Sequence, residues 1–73
     1  MATSPVPVVY TLGACPTCSA LKRAWNQEGI AFEERRVDTS QQWLDEASGY
    51  SDAVPIVLYP DGRVEVGFRG EVG

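Results

Sequence analysis

The chain has 73 residues, six Lys plus Arg against ten Asp plus Glu, a formal net charge of −4, two Cys and no His. That length holds one small domain, and the acidic balance excludes a basic nucleic-acid stripe and an electrostatic hold on anionic lipid. Without His there is no Ser-His-Asp triad, no Cys-His pair and no His-ligated metal, and two Cys cannot supply the four ligands of a structural zinc site from one chain.

We read residues 1–73 as a single domain whose first seven residues, MATSPVP, form a flexible arm, because Pro5 and Pro7 cannot donate to a ladder. Val8 to Leu12 is β-branched and aromatic and reads as a strand. Gly13 and Ala14 break it, and Pro16 then suits the first position of a helix, where its missing amide is not needed. That helix runs through Ser19–Trp25 to a stop at Gly29. Ile30 to Val37 reads as a second strand near a sheet edge, with Glu33, Glu34, Arg35 and Arg36 as a solvated edge. Thr39 and Ser40 are N-cap candidates for a second helix carrying Trp43, Leu44 and Ala47, closed by Gly49. Val54 to Tyr59 reads as a buried strand. Pro60-Asp61-Gly62 is a turn, and Val64 and Val66 lie on the returning strand of a hairpin. The order β-α-β-α-β-β gives an α/β fold with a mixed four-stranded sheet, its first two strands parallel through a right-handed crossover. Trp25 and Trp43 are expected in the core, and Tyr10 and Tyr59 on the sheet.

The chemistry sits at Cys15-Pro16-Thr17-Cys18. A bridge between these cysteines closes a loop of about four residues, worth only about 2 kcal/mol, so it is a poor staple. The pair reads as redox chemistry in a reducing compartment. Cys15 lies at the mouth of the helix, where free amides and the positive dipole end favour a thiolate. Cys18 is one turn on, near enough to close a disulfide. Cys18, Leu21 and Trp25 share the apolar stripe, so Cys18 is expected to be buried and Cys15 exposed. That asymmetry makes Cys15 the attacking and Cys18 the resolving sulfur. The alternative is a metal or iron–sulfur module in which CxxC pairs join across a dimer.

The run Val9-Tyr10-Thr11-Leu12-Gly13-Ala14-Cys15-Pro16-Thr17-Cys18 resembles the active-site segment of glutaredoxins and of NrdH-type redoxins. Lys22-Arg23-Ala24, Gly29-Ile30-Ala31-Phe32, Val37-Asp38, Val54-Pro55 and Gly67-Phe68-Arg69 extend the similarity over roughly residues 8–70. The resemblance implies a minimal thioredoxin-like fold, thiol–disulfide exchange, and a cis Pro55 facing the dithiol. It implies substrate contacts at Pro16, Thr17, Val54, Pro55 and Arg69. It implies no cofactor beyond the redox-active disulfide, with glutathione as a candidate co-substrate. Its implied partners are protein disulfides, ribonucleotide reductase among them, and either thioredoxin reductase or glutathione as reductant.

Glutaredoxins that bind glutathione usually carry Lys or Arg three residues before the first Cys, and a Gly-Gly-x-Asp element near the end. Here Leu12 takes the first position and Gly67-Phe68-Arg69-Gly70-Glu71 the second, which favours the NrdH-type reading. Lys22 either lowers a thiol pKa or is a solvated helix residue. Arg69 either guides an acidic partner or is an exposed strand-end charge. The absence of a basic leader, an apolar leader and a membrane-length run implies a cytoplasmic protein. Redoxins of this type end in a further helix, which is expected to be missing here. A bare apolar sheet face is then expected, met by a folded-back tail, by a second copy in a weak homodimer, or reflecting a truncated chain.

Overall fold

The structure, a computed structural model, describes residues 6–72. Of the expected arm, residues 1–5 lie outside the described residues. Pro7 lies just before β1, and its carbonyl accepts the Glu33 amide at 2.8 Å.

Six elements follow in chain order: β1 (Val8–Thr11), α1 (Pro16–Glu28), β2 (Glu33–Arg36), α2 (Gln41–Ser48), β3 (Ile56–Leu58) and β4 (Val64–Val66). The sheet order is β2-β1-β3-β4. β1 runs parallel to β2 and antiparallel to β3, and β4 is antiparallel to β3. This is the minimal thioredoxin-like arrangement with its mixed four-stranded sheet.

Successive side chains of a strand face opposite ways, and β1 is buried on both faces. Val9 joins Leu21, Trp25 and Val57 on the α1 side. Tyr10 joins Val37, Ala47 and Ile56 on the α2 side. α1 ends in a Schellman turn: Gly29 has φ +74°, its amide donates to the Asn26 carbonyl, and the Ile30 amide donates to that of Trp25. That closure uses up Ile30, and Phe32 turns its ring edge-on to Trp25 at 5.5 Å. The second strand is therefore Glu33–Arg36 alone, shorter than the expected Ile30–Val37.

β2 is at the sheet edge, yet it is not simply solvated. Glu34 lies beside Val9 and faces α1, while Arg35 lies beside Tyr10 and faces α2. Arg35 donates to Glu46 at 3.0 Å and to the Tyr10 hydroxyl at 3.2 Å, and that hydroxyl donates to Glu46 at 2.8 Å. Burial and the Glu46 carboxylate push the Tyr10 phenol pKa up. The buried tyrosine thus pins α2 to the sheet. α2 itself starts on Ser40, whose hydroxyl accepts the Trp43 amide, and Trp43 is half-buried against the α2-side cluster rather than enclosed.

The third strand is shorter than Val54–Tyr59 because Pro55 has no amide to give the ladder; its carbonyl accepts the Gly67 amide at 2.7 Å. At the hairpin, Asp61 accepts the Arg63 amide at 3.0 Å and Gly62 takes φ +95°. No helix follows β4 among the described residues; a bridge between Phe68 and Glu71 closes a loop. The α1 face is not bare, since Tyr59 and Phe68 pack on its cluster and Glu65 bonds the Tyr59 hydroxyl. Register instead places Val64 and Val66 on the α2 side, where they are 45% and 42% exposed.

Leu21→Ala, which empties a fully buried site on the helix that carries the dithiol, should cost about 2–5 kcal/mol in urea unfolding. Val66→Thr, at an exposed position, should stay within about 0.5 kcal/mol.

Candidate active site

β1 ends at Thr11, and Leu12, Gly13 and Ala14 form an exposed loop that delivers Cys15 to the start of α1. Cys15 is the N-cap: its backbone is extended, its carbonyl accepts the Ser19 amide at 3.1 Å, and its Sγ accepts the Cys18 amide at 3.1 Å. A sulfur therefore occupies the place usually held by a Ser or Asp oxygen. The two cysteines are disulfide-bonded with Cα atoms 5.2 Å apart.

The expected contrast in burial is absent in this bridged state. Cys15 is 3% exposed and Cys18 1%. Bonding to Cys18 draws the Cys15 sulfur back over the first helical turn, and Val54 packs against the pair. The Val54–Pro55 peptide bond is cis.

Beside the dithiol, Pro16, Thr17 and Ala20 form one wall of a groove of ≈ 300 Å³, and Phe68, Arg69 and Glu71 form the other. The fold thus brings Pro16, Thr17 and Arg69 to one groove, with Val54 packed against the cysteines and Pro55 buried next to it in the chain. Arg69 is not a plain strand-end charge: it follows β4 in a tight loop with φ +54°, and its guanidinium lies 4.9 Å from the centre of the Phe68 ring.

Two ion pairs flank the loop and the helix. Lys22 donates to Glu34 at 2.8 Å, and the buried Thr11 hydroxyl donates to the same oxygen at 2.7 Å. Lys22 is thus tied across to β2, neither freely solvated nor unpaired beside the thiols. Burial pushes the Glu34 pKa up, but these two hydrogen bonds outweigh it and hold the carboxyl below its usual range. At the end of β2, Arg36 grips Asp38 through Nε at 3.1 Å and Nη2 at 2.7 Å. Asp38 in turn accepts the Gly13 amide at 3.2 Å. The Arg36 guanidinium, then the Gly13 amide, hold its carboxyl low. Charge patterning alone marks Arg36 as an edge residue; the only signal of this contact is opposite charge two positions apart at a strand end.

The glutaredoxin family profile matches residues 8–64, which contain β1, both cysteines and the Val54–Pro55 segment. The chain belongs to the glutaredoxin family. A search of curated proteins returns no match. In a glutaredoxin, a cysteine pair at disulfide distance on a helix start serves thiol–disulfide redox chemistry, and Cys15 and Cys18 have that arrangement. Among the described residues, no three His, Cys, Asp or Glu side chains are grouped to hold a metal ion, and no helix is long and apolar enough to cross a membrane.

Because the Glu34 carboxyl titrates lower folded than its ordinary 4.5, its contribution to stability is complete above that value and is lost as pH falls through the folded one. Urea titrations from neutrality to pH ~3 should show stability falling, and Glu34→Gln should flatten the fall without abolishing it, since Asp38 and Glu46 are also lowered.

Proposed function

We propose that this glutaredoxin is a dithiol electron carrier that reduces disulfides in proteins, with Cys15 as nucleophile and Cys18 as resolving thiol. The observation that carries the reading is the Cys18 amide directed at Cys15 Sγ. A thiolate there is met by a free helix-start amide and the positive dipole end, so the reduced Cys15 thiol should ionise below the ordinary value of about 8.5. Cys18, inside the first turn, has no such amide at its sulfur. Roles follow from cap position and not from exposure.

In the first step the Cys15 thiolate attacks one sulfur of the substrate disulfide. A mixed disulfide forms, and the other substrate sulfur leaves as thiolate and takes up a proton. Cys18 then loses its proton and attacks Cys15 Sγ. The second substrate thiol is released, and two electrons have passed from the dithiol to the substrate. The groove between Pro16-Thr17 and Phe68-Arg69 suits a polypeptide flank of the target cysteine. Val54 packs against the two cysteines and is joined to Pro55 by a cis peptide bond. No cofactor beyond the dithiol is needed.

For the reductant, we favour thioredoxin reductase. Leu12 is 39% exposed at the position where a cation would pair with the glutathione glycine carboxylate. Residues 67–71 offer no Asp to its amine. These two departures support the NrdH-type reading over the glutathione-dependent branch, and that reading implies a disulfide of ribonucleotide reductase as an acceptor.

Turnover of a protein disulfide should vanish in Cys15→Ser. In Cys18→Ser it should stall as a covalent substrate adduct. With the wild type, thioredoxin reductase plus NADPH should support at least about tenfold faster turnover than glutathione plus glutathione reductase, a difference of about 1.4 kcal/mol in the barrier.

A further inference from the structure

We propose that Arg36 and Asp38 are positioning residues for the nucleophile: Asp38 holds the loop before Cys15 through the Gly13 amide, and Arg36 seats Asp38 and cancels its charge beside the sulfur. The inference rests on the reading of Cys15 as nucleophile. It deepens that reading by naming side chains at the end of β2 and just after it that tune the nucleophile.

Gly13 is only two residues before Cys15, and a chain spans at most about 3.6 Å per residue. With the Gly13–Asp38 bond at 3.2 Å, the Asp38 carboxylate lies within about 10 Å of the Cys15 backbone. That is about one Debye length at 0.1 M salt, so screening weakens its field at the Cys15 junction without removing it. A bare carboxylate there opposes a thiolate. The two-pronged Arg36 contact neutralises it while leaving one oxygen for the amide. The packing is close: a Cβ on Gly13 would overlap Arg36 Nη2 and lie 2.9 Å from Asp38 Oδ2, so those side-chain ends would have to move. Leu12 supplies no cation of its own, so the loop's electrostatic partner comes from β2. Other charged groups at this end are Lys22 paired with Glu34, Arg69 and Glu71 across the groove, and Asp52 two residues before Val54. All five stay unchanged in the variants below.

The test is the rate of iodoacetamide alkylation of reduced Cys15 against pH, assigned by peptide mass, in wild type, Arg36→Gln, Asp38→Asn and the double variant. Arg36→Gln exposes the carboxylate and should raise the Cys15 pKa by about 0.3–0.5 of a unit; Asp38→Asn frees the guanidinium and should lower it by a similar amount. The double variant should return close to wild type. Asp38→Ala also removes the acceptor of the Gly13 amide, and disulfide turnover should fall about 2–10-fold below that of Asp38→Asn. Single variants that leave the pKa in place, or move it in the same direction, overturn the charge-balancing role. Equal turnover of Asp38→Ala and Asp38→Asn overturns the holding role. A wild-type Cys15 that titrates at the ordinary thiol value and reduces no disulfide would instead overturn the underlying reading of the site.

Discussion

The Cys18 amide that donates to Cys15 Sγ is available only because α1 begins at Pro16, and that start is set by the sheet. β1 is buried on both faces, so its end at Thr11 is fixed. Leu21 and Trp25 fix the helix over Val9 and Val57. Three loop residues then separate a rigid strand from a rigid helix, and the cysteine at the junction has no choice but to cap it. Proline at the first helical position leaves the next unsatisfied amides free to face the sulfur. In the proposed mechanism, the side chain that caps the helix also carries the reactive sulfur.

Charge around that junction is arranged in neutral pairs. The whole chain carries −4, which alone would work against a thiolate. On α1 and at the active-site loop, however, Lys22 meets Glu34 and Arg36 meets Asp38. Both acids and Arg36 come from β2 or the residues just after it. A four-residue strand at the sheet edge therefore does little for the core but supplies the groups that flank the active-site loop and helix. The same strand's alternation sends Arg35 the other way, to Tyr10 and Glu46, where it fastens α2.

Much of this was legible in the residues because the strongest signals are local. Pro16 and Gly29 bracket α1, Ser40 caps α2, and Asp61-Gly62 makes the hairpin turn, each by a mechanism confined to a few neighbouring positions. What escaped depends on neighbours distant in sequence. Glu33 to Arg36 look like a solvated edge until β1 is set beside them and decides which charge faces which helix. The burial of Cys15 follows from its bond to Cys18 and from Val54, some forty residues on. The extent of the second strand was overstated because Ile30 serves to close a helix, a use invisible to apolar periodicity. The sequence leaves open which sheet face is bare; Tyr59, Glu65 and Phe68 occupy the α1 side, and register turns Val64 and Val66 toward the α2 side.

The central claim is that the helix-capping sulfur, and not its partner one turn inside, makes the first bond to substrate. Acid-quenched mixtures of the reduced wild-type protein with a disulfide-bonded peptide, mapped by mass spectrometry of the proteolysed adduct, address it directly. The account predicts that the peptide is attached to Cys15. An adduct found on Cys18, or shared evenly between the two, would contradict it.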